Sequence, residues 1–297
     1  MKKKSYLSKF IVALVTTTLL VTTIPKEYAK ADSYTVVTLG ANLSQAQKDE
    51  MLKYFNVTKN DAQIIEITSA EEHSQLGKVA TEEQLGTKAI SCSYVEPTTS
   101  GGLDITTNNL TWVTEGMIKN ALITAGITNA KIEASAPFKV SGTAALAGIM
   151  KGFETSSSGE KIDTNKKEAA NDELVVTGNL GDKIGQDQAT QVINDAKNKV
   201  IEEKPKTPEE IQSIVDTALG KYKSQLSDDD IQKIVDLMTK INSLNLDYNS
   251  IKDQLNDISK QLTDKLGSNE AQGILDKIGQ FFSNVFDSIK NFFSSNN

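Results

Sequence analysis

Arginine is absent from this 297-residue chain, whose 32 basic residues are all lysine. Without guanidinium groups the protein lacks the bidentate fork that usually grips phosphate and carboxylate. Histidine, cysteine and tryptophan occur once each, as His73, Cys92 and Trp112. Zinc needs several nitrogen or sulfur ligands, so no metal site and no cofactor is expected. A serine or cysteine nucleophile would have to take His73 as its base, and that residue reads as an exposed position in "SAEEHSQLG". A single tryptophan leaves little for a sugar-stacking cleft. One cysteine cannot close an internal disulfide, so stability must come from ordinary cores. Cys92 alternates with serines in "AISCSYVEP", the pattern of a small buried strand residue.

What is present begins with an address. Lys2, Lys3 and Lys4 precede an apolar run from Phe10 to Ile24, and Ala29-Lys30-Ala31 follows it. That order predicts a signal peptide over residues 1–31, cleaved after Ala31, and a secreted protein. At about fifteen residues the run falls short of the roughly twenty that span a bilayer. Residues 1–31 carry six Lys and Glu27, so from Asp32 onward 26 Lys face 38 acids, a formal charge of −12. Such a chain has no electrostatic reason to seek nucleic acid or anionic lipid.

The pattern then changes once. From Tyr34 to about Glu154, β-branched runs such as "YTVVTLG", "AQIIEIT", "KAISCSYVE" and "AKIEASAPF" alternate with helical segments. This predicts an α+β fold whose N-terminal part, residues 32–155, is a mixed-sheet α/β domain. A hairpin is expected around "PTTSGG", Pro97 to Gly102. Residues 156–167 read as a polar linker, and residues 168–297 as an all-helical domain with an amphipathic C-terminal helix. Thr207 with Pro208 and Glu210, and Ser227 with Asp230, form capping boxes. The acids at 228–230 therefore suit a first helical turn better than a calcium loop, which needs a Gly and a distal Glu.

Two features raise functional questions. In "APFKVSGTAALAGIM" the strand breaks at Pro137 and a helix of small residues starts after Ser141, Gly142 and Thr143. The Ser141 hydroxyl is placed to cap that helix, and its N-terminus is a candidate anion site. No Walker lysine and no Gly-x-Ser-x-Gly elbow accompanies it. The second feature is "GILDKIGQFFSNVFDSIKNFF", which holds five of the nine phenylalanines. Ile278, Phe281, Phe282, Val285, Phe286, Ile289, Phe292 and Phe293 fall with their apolar neighbours on one arc of roughly 140°. Such a stripe either seals the helical core or docks on another protomer, a partner or an envelope surface.

The blocks "VVTLGANLSQAQKDEML", "ISCSYVEP", "TNNLTWVTEGM", "ALITAGITNAKIEASAPFKVSGTAAL" and "ELVVTGNLGDKIG" resemble the YpuA-like secreted proteins of Gram-positive bacteria, a domain-of-unknown-function family. The resemblance implies an exported Gram-positive protein and assigns no catalytic residue. The residues themselves favour a non-enzymatic extracellular or envelope-associated interaction protein. Its partner would be a protein or envelope component, reached by self-association or peripheral contact through the C-terminal helix. A hydrolase of envelope polymers with paired carboxylates, and a small-molecule or anion binder at Gly142, are the alternatives.

Overall fold

The computed structural model describes residues 35–58, 60–156 and 161–267. The candidate C-terminal interaction helix, Ile278 to Phe293, and the leader lie outside the described residues. Of these, the N-terminal part is built on a five-stranded mixed sheet and the C-terminal part is helical, an α+β fold.

The first strand, β1 (Val36–Gly40), is buried throughout and pairs in parallel with β2 (Gln63–Ile67). Between them α1 (Gln45–Tyr54) begins at a capping box of Ser44 and Gln47 and covers one face of the sheet. Two short helices follow, α2 (Ser69–Leu76) and α3 (Glu82–Leu85), each started by a threonine capping box. The third strand, β3 (Cys92–Pro97), runs antiparallel to β1. A second parallel unit comprises β4 (Leu103–Leu110), α4 (Glu115–Thr124) and β5 (Ala130–Val140). The sheet order is β2-β1-β3-β5-β4.

That order corrects the expected hairpin. Strand β5 lies between β3 and β4, with Ala130 paired to Pro97 on one side and to Leu103 on the other. The short α4 crossover seats β5 beside β4, so the segment after Pro97 must arch over the start of β5. Asn129 holds the arch, its side chain accepting from the Gly102 amide at 3.0 Å and its carbonyl from Thr98 at 3.3 Å. Nor does Pro137 end the strand. It falls where the β4–β5 register shifts between Asn108 and Leu110, a bulge at which no ladder amide is required.

After β5, α5 (Thr143–Thr155) lies against the opposite face of the sheet from α1. Its small residues allow a close approach to the sheet. A Cβ on Gly148 would come within 3.0 Å of Thr38 Cγ2, and the Thr38 hydroxyl donates to the Gly148 carbonyl at 3.1 Å.

The helical part comprises α6 (Thr164–Ile184), α7 (Gln186–Glu203), α8 (Pro208–Leu219), a 3-10 turn (Gly220–Gln225), α9 (Asp228–Ser243) and α10 (Tyr248–Leu266). Helix α6 starts four residues earlier than its sequence pattern suggests, because Asp163 caps it through the amides of Asn165 and Lys166. The capping boxes at Thr207 and Ser227 form as read, and Asp230 closes the second. Helix α7 packs against α4, α6, α8, α9 and α10, so it is buried on almost every side. A continuous apolar cluster runs from Leu103 and Ile132 in the sheet through α4 to Leu262 in α10. Trp112 lies in this core against α6, and its indole donates to Asp182 at 3.3 Å.

Candidate functional site

The predicted turn places its residues together, but the protein satisfies the turn internally. Gly142 is the N-cap of α5 with φ of 103°, a left-handed conformation that suits glycine, and no side chain of its own segment caps the helix. The Ala145 amide donates instead to Ser91 Oγ at 2.7 Å, a serine 54 positions earlier. Ser141 Oγ lies 3.2 Å from Thr143 Oγ1, and Thr143 in turn donates to the Gln84 carbonyl at 3.4 Å. Beside Thr143 sits Glu72 of α2, 1 % exposed, with neither carboxylate oxygen holding a hydrogen bond. Burial pushes its carboxyl up to about 7, against smaller opposing effects of the Thr143 hydroxyl and His73. The α5 N-terminus thus already adjoins a carboxylate of the chain itself. His73 is partly exposed on α2 and pairs with Glu82 at 3.2 Å, while Cys92 is fully buried with its thiol pushed up to about 12 by burial.

Polar groups on buried α7 divide between two faces. Toward α4 and α6, Lys197 donates to Glu173 Oε1 at 2.7 Å, to the Asn120 carbonyl at 2.9 Å and to Thr124 Oγ1 at 3.3 Å. Thr124 Oγ1 donates to the other Glu173 oxygen at 2.5 Å. Both charged side chains are 0 % exposed, and burial lowers the lysine pKa against the pull of Glu173. This set is closed and neutral overall.

Toward α10 the arrangement is open. Gln191, Asn194, Asp195 and Asn198 lie on one stripe of α7 at helical spacing. Gln191 Nε2 donates to both Asp195 oxygens at 2.8 Å, and Ser259 Oγ of α10 donates to Oδ1 at 3.0 Å. Asn194 Nδ2 donates to the Leu255 carbonyl and to Ser259 Oγ, and Asn198 Nδ2 to Asn256 Oδ1 at 3.2 Å. Every amide nitrogen on this stripe is used, yet the buried oxygens Gln191 Oε1, Asn194 Oδ1 and Asn198 Oδ1 receive no donor. Asp195 is 6 % exposed, and burial pushes its carboxyl up to about 6 despite the Gln191 and Ser259 bonds. It forms the floor of a groove of about 360 Å³ between α7 and α10, with Asn198, Asn256 and Thr263 on the walls and Lys199 and Lys260 at the rim. Among the described residues, no second acid lines this groove.

Other hollows differ in kind. The groove of about 480 Å³ beside β4 is lined by three acids: Asp104 is exposed, Glu115 accepts from the Thr107 amide and Asp187 pairs with Lys265. A hollow of about 300 Å³ along α6 has its charges paired as Lys167–Glu154, Lys240–Asp172 and Lys78–Glu168. Among the described residues, no group of three or more His, Cys, Asp or Glu side chains is placed to hold a metal, and no helix is long and apolar enough to cross a membrane. Sequence reading missed Asp195 because one acid among 38 has no mark of its own. The available sign was local: "NDAK", Asn194 to Lys197, is polar in a helix whose flanking residues, Val192, Ile193, Val200 and Ile201, are apolar on several sides.

Residues 39–258 match a family model described as protein of unknown function (DUF1002). The chain belongs to the DUF1002 family. It is 37 % identical over 260 residues to a Bacillus subtilis (strain 168) protein named "Uncharacterized protein YpuA", covering 87 % of this chain and 89 % of that one. No solved structure matches the chain. The DUF1002 match spans from β1 into α10, so the Asp195 side of the groove and Ser259's neighbours fall in or at the end of the matched region.

Proposed function

We propose that this DUF1002 protein is an exported, non-enzymatic binding protein of the Gram-positive envelope, and that the groove between α7 and α10 is where it holds its ligand. The observation that carries this reading is Asp195, a buried carboxylate at the floor of a groove whose lining also includes Asn198, an amide with a donor-free oxygen. Unmet hydrogen-bonding capacity at a concave surface favours recognition. Paired-carboxylate hydrolysis needs a second acid across the cleft, and among the described residues the α7–α10 groove supplies one acid alone. Export rests on the lysine-led apolar leader over residues 1–31, and the Gram-positive setting on the likeness to a Bacillus subtilis protein. The Phe-rich segment from Ile278 to Phe293 is the second contact in this proposal, toward an envelope surface or a second protomer.

The test is photocrosslinking from Thr263, on the groove wall, with native Gram-positive envelopes, beside co-sedimentation of the same protein. A discrete adduct that an unlabelled excess of the protein competes away supports the reading. Sedimentation without any adduct from Thr263 moves the contact to the C-terminal segment, and neither signal rejects envelope binding altogether.

A further inference from the structure

We infer that the α7–α10 groove binds a primary ammonium group, with Asp195 as its counter-ion, an inference that rests on the groove being the ligand site. A carboxylate offers about four lone-pair sites. Asp195 Oδ1 accepts from Gln191 and Ser259, and Oδ2 accepts only from Gln191, which leaves one site on Oδ2. Asn198 Oδ1 has no donor, and Asn256 Oδ1 accepts once, from Asn198. The groove therefore offers a charged acceptor with one free site, Asp195 Oδ2, and a second partly used acceptor at Asn256 Oδ1. An ammonium supplies three N–H donors and one positive charge, matching both shortages together. A neutral alcohol supplies one donor and no charge, and an anion would be repelled by Asp195.

The chain offers its own cations at the rim, and they are the rival occupants. Lys199 of α7 is engaged with Glu202 at 2.9 Å and Glu203 at 3.8 Å. Lys260 of α10 is exposed and forms no ion pair with Asp195, which accepts only from Gln191 and Ser259. The pocket on α10 that faces Asp195 carries hydroxyl and amide groups, Ser259, Thr263 and Asn256, and no acid. A volume of about 360 Å³ admits an amino acid or an alkylamine, at the lower end of small-molecule sites.

The experiment is calorimetric titration of the purified protein lacking residues 1–31 with n-butylammonium chloride and with lysine, against 1-butanol and potassium chloride as controls. Both amines should bind saturably and the controls should not. Asp195→Asn, checked by circular dichroism, should weaken both amines at least about tenfold, the effect of losing one charge-assisted hydrogen bond. Affinity should also fall about tenfold from pH 7.5 to 5, because Asp195 titrates at about 6 and only the ionised form pairs with the cation. Equal binding of 1-butanol, or amine binding untouched by Asp195→Asn, overturns the inference. So does a Lys260→Gln variant that by itself raises the Asp195 titration midpoint, since that lysine is then the resident cation. Envelope crosslinking from Thr263 without amine binding removes the ammonium and keeps the groove, whereas loss of both removes the groove reading too.

Discussion

Two buried acids should make this protein more stable in mild acid than at neutral pH, the reverse of ordinary acid denaturation. An acid whose pKa is higher in the folded state than in the unfolded chain holds its proton more tightly when folded. Between the two values folding takes up a proton, so stability is largest below the unfolded pKa and falls as pH rises through the folded one. Asp195 rises from 3.8 to about 6 and Glu72 from 4.5 to about 7, both chiefly by burial. At 1.36 kcal/mol per unit, each contributes about 3 kcal/mol that is present near pH 4 and gone by pH 8. His73 acts in the same direction, since the Ser69 carbonyl and Glu82 raise it and its share is lost above its folded value. Asp230 and Glu71 act oppositely: Lys183 and Ser227 outweigh burial at Asp230 and hold it at about 2, and Lys151 lowers Glu71. Their contribution is lost only as pH falls below about 4, which sets the acid limb.

Urea unfolding at pH 4.5 and pH 7.5 should therefore show a loss of about 5 kcal/mol on going to the higher pH. Asp195→Asn and Glu72→Gln should each remove about half of that dependence while leaving the pH 4.5 value nearly unchanged. The asparagine can also donate to Gln191 Oε1, which has no donor in the native protein. Equal stability at the two pH values, or amide variants with the slope of the native protein, would refute the reasoning.

Gly178→Ala should destabilise by about 1–3 kcal/mol in thermal or urea unfolding, despite alanine's better helix propensity, because the new Cβ would stand 2.1 Å from Trp112 Cζ2. The same variant should shift the fluorescence of the single tryptophan, and an unchanged spectrum with unchanged stability contradicts the packing. Cys92, fully buried and held protonated, should react with a thiol reagent only as fast as the protein unfolds, and rapid labelling of the native state counts against its burial. Lys197→Met should cost about 3–5 kcal/mol by stranding Glu173, and adding Glu173→Leu should recover most of it. A double variant no more stable than the single would show that the pair is not the source of the loss.

What was legible in the sequence was local. The boxes at Thr207–Glu210 and Ser227–Asp230 need only a three-residue spacing, and both form. The small residues of α5 foretold its approach to the sheet for the same reason. What depends on distant partners was not legible. The hairpin reading failed because β5 is the neighbour of both β3 and β4, a choice made by the α4 crossover, which begins well after Pro97, at Glu115. Ser141 lost the capping role to Ser91, whose side chain reaches α5 only once β3 has joined the sheet.

The same contrast separates support from site on α7. Its two polar faces share one buried helix, and polar groups there give up packing that apolar residues would provide. On the α4–α6 face the charges are complementary and solvent is shut out, so Lys197 and Glu173 fix how three helices meet and have no capacity left for a ligand. Glu72 has spare capacity but is almost wholly shut away from solvent, and the α6 hollow is open but its charges are paired. At Asp195 an uncompensated carboxylate and an open groove coincide, with Asn198, whose amide oxygen has no donor, on the same wall. A purely structural role would be better served by pairing that carboxylate with a cation, as Lys197 pairs with Glu173 on the opposite face of the same helix. The incompleteness therefore points outward, to a ligand that brings hydrogens and positive charge.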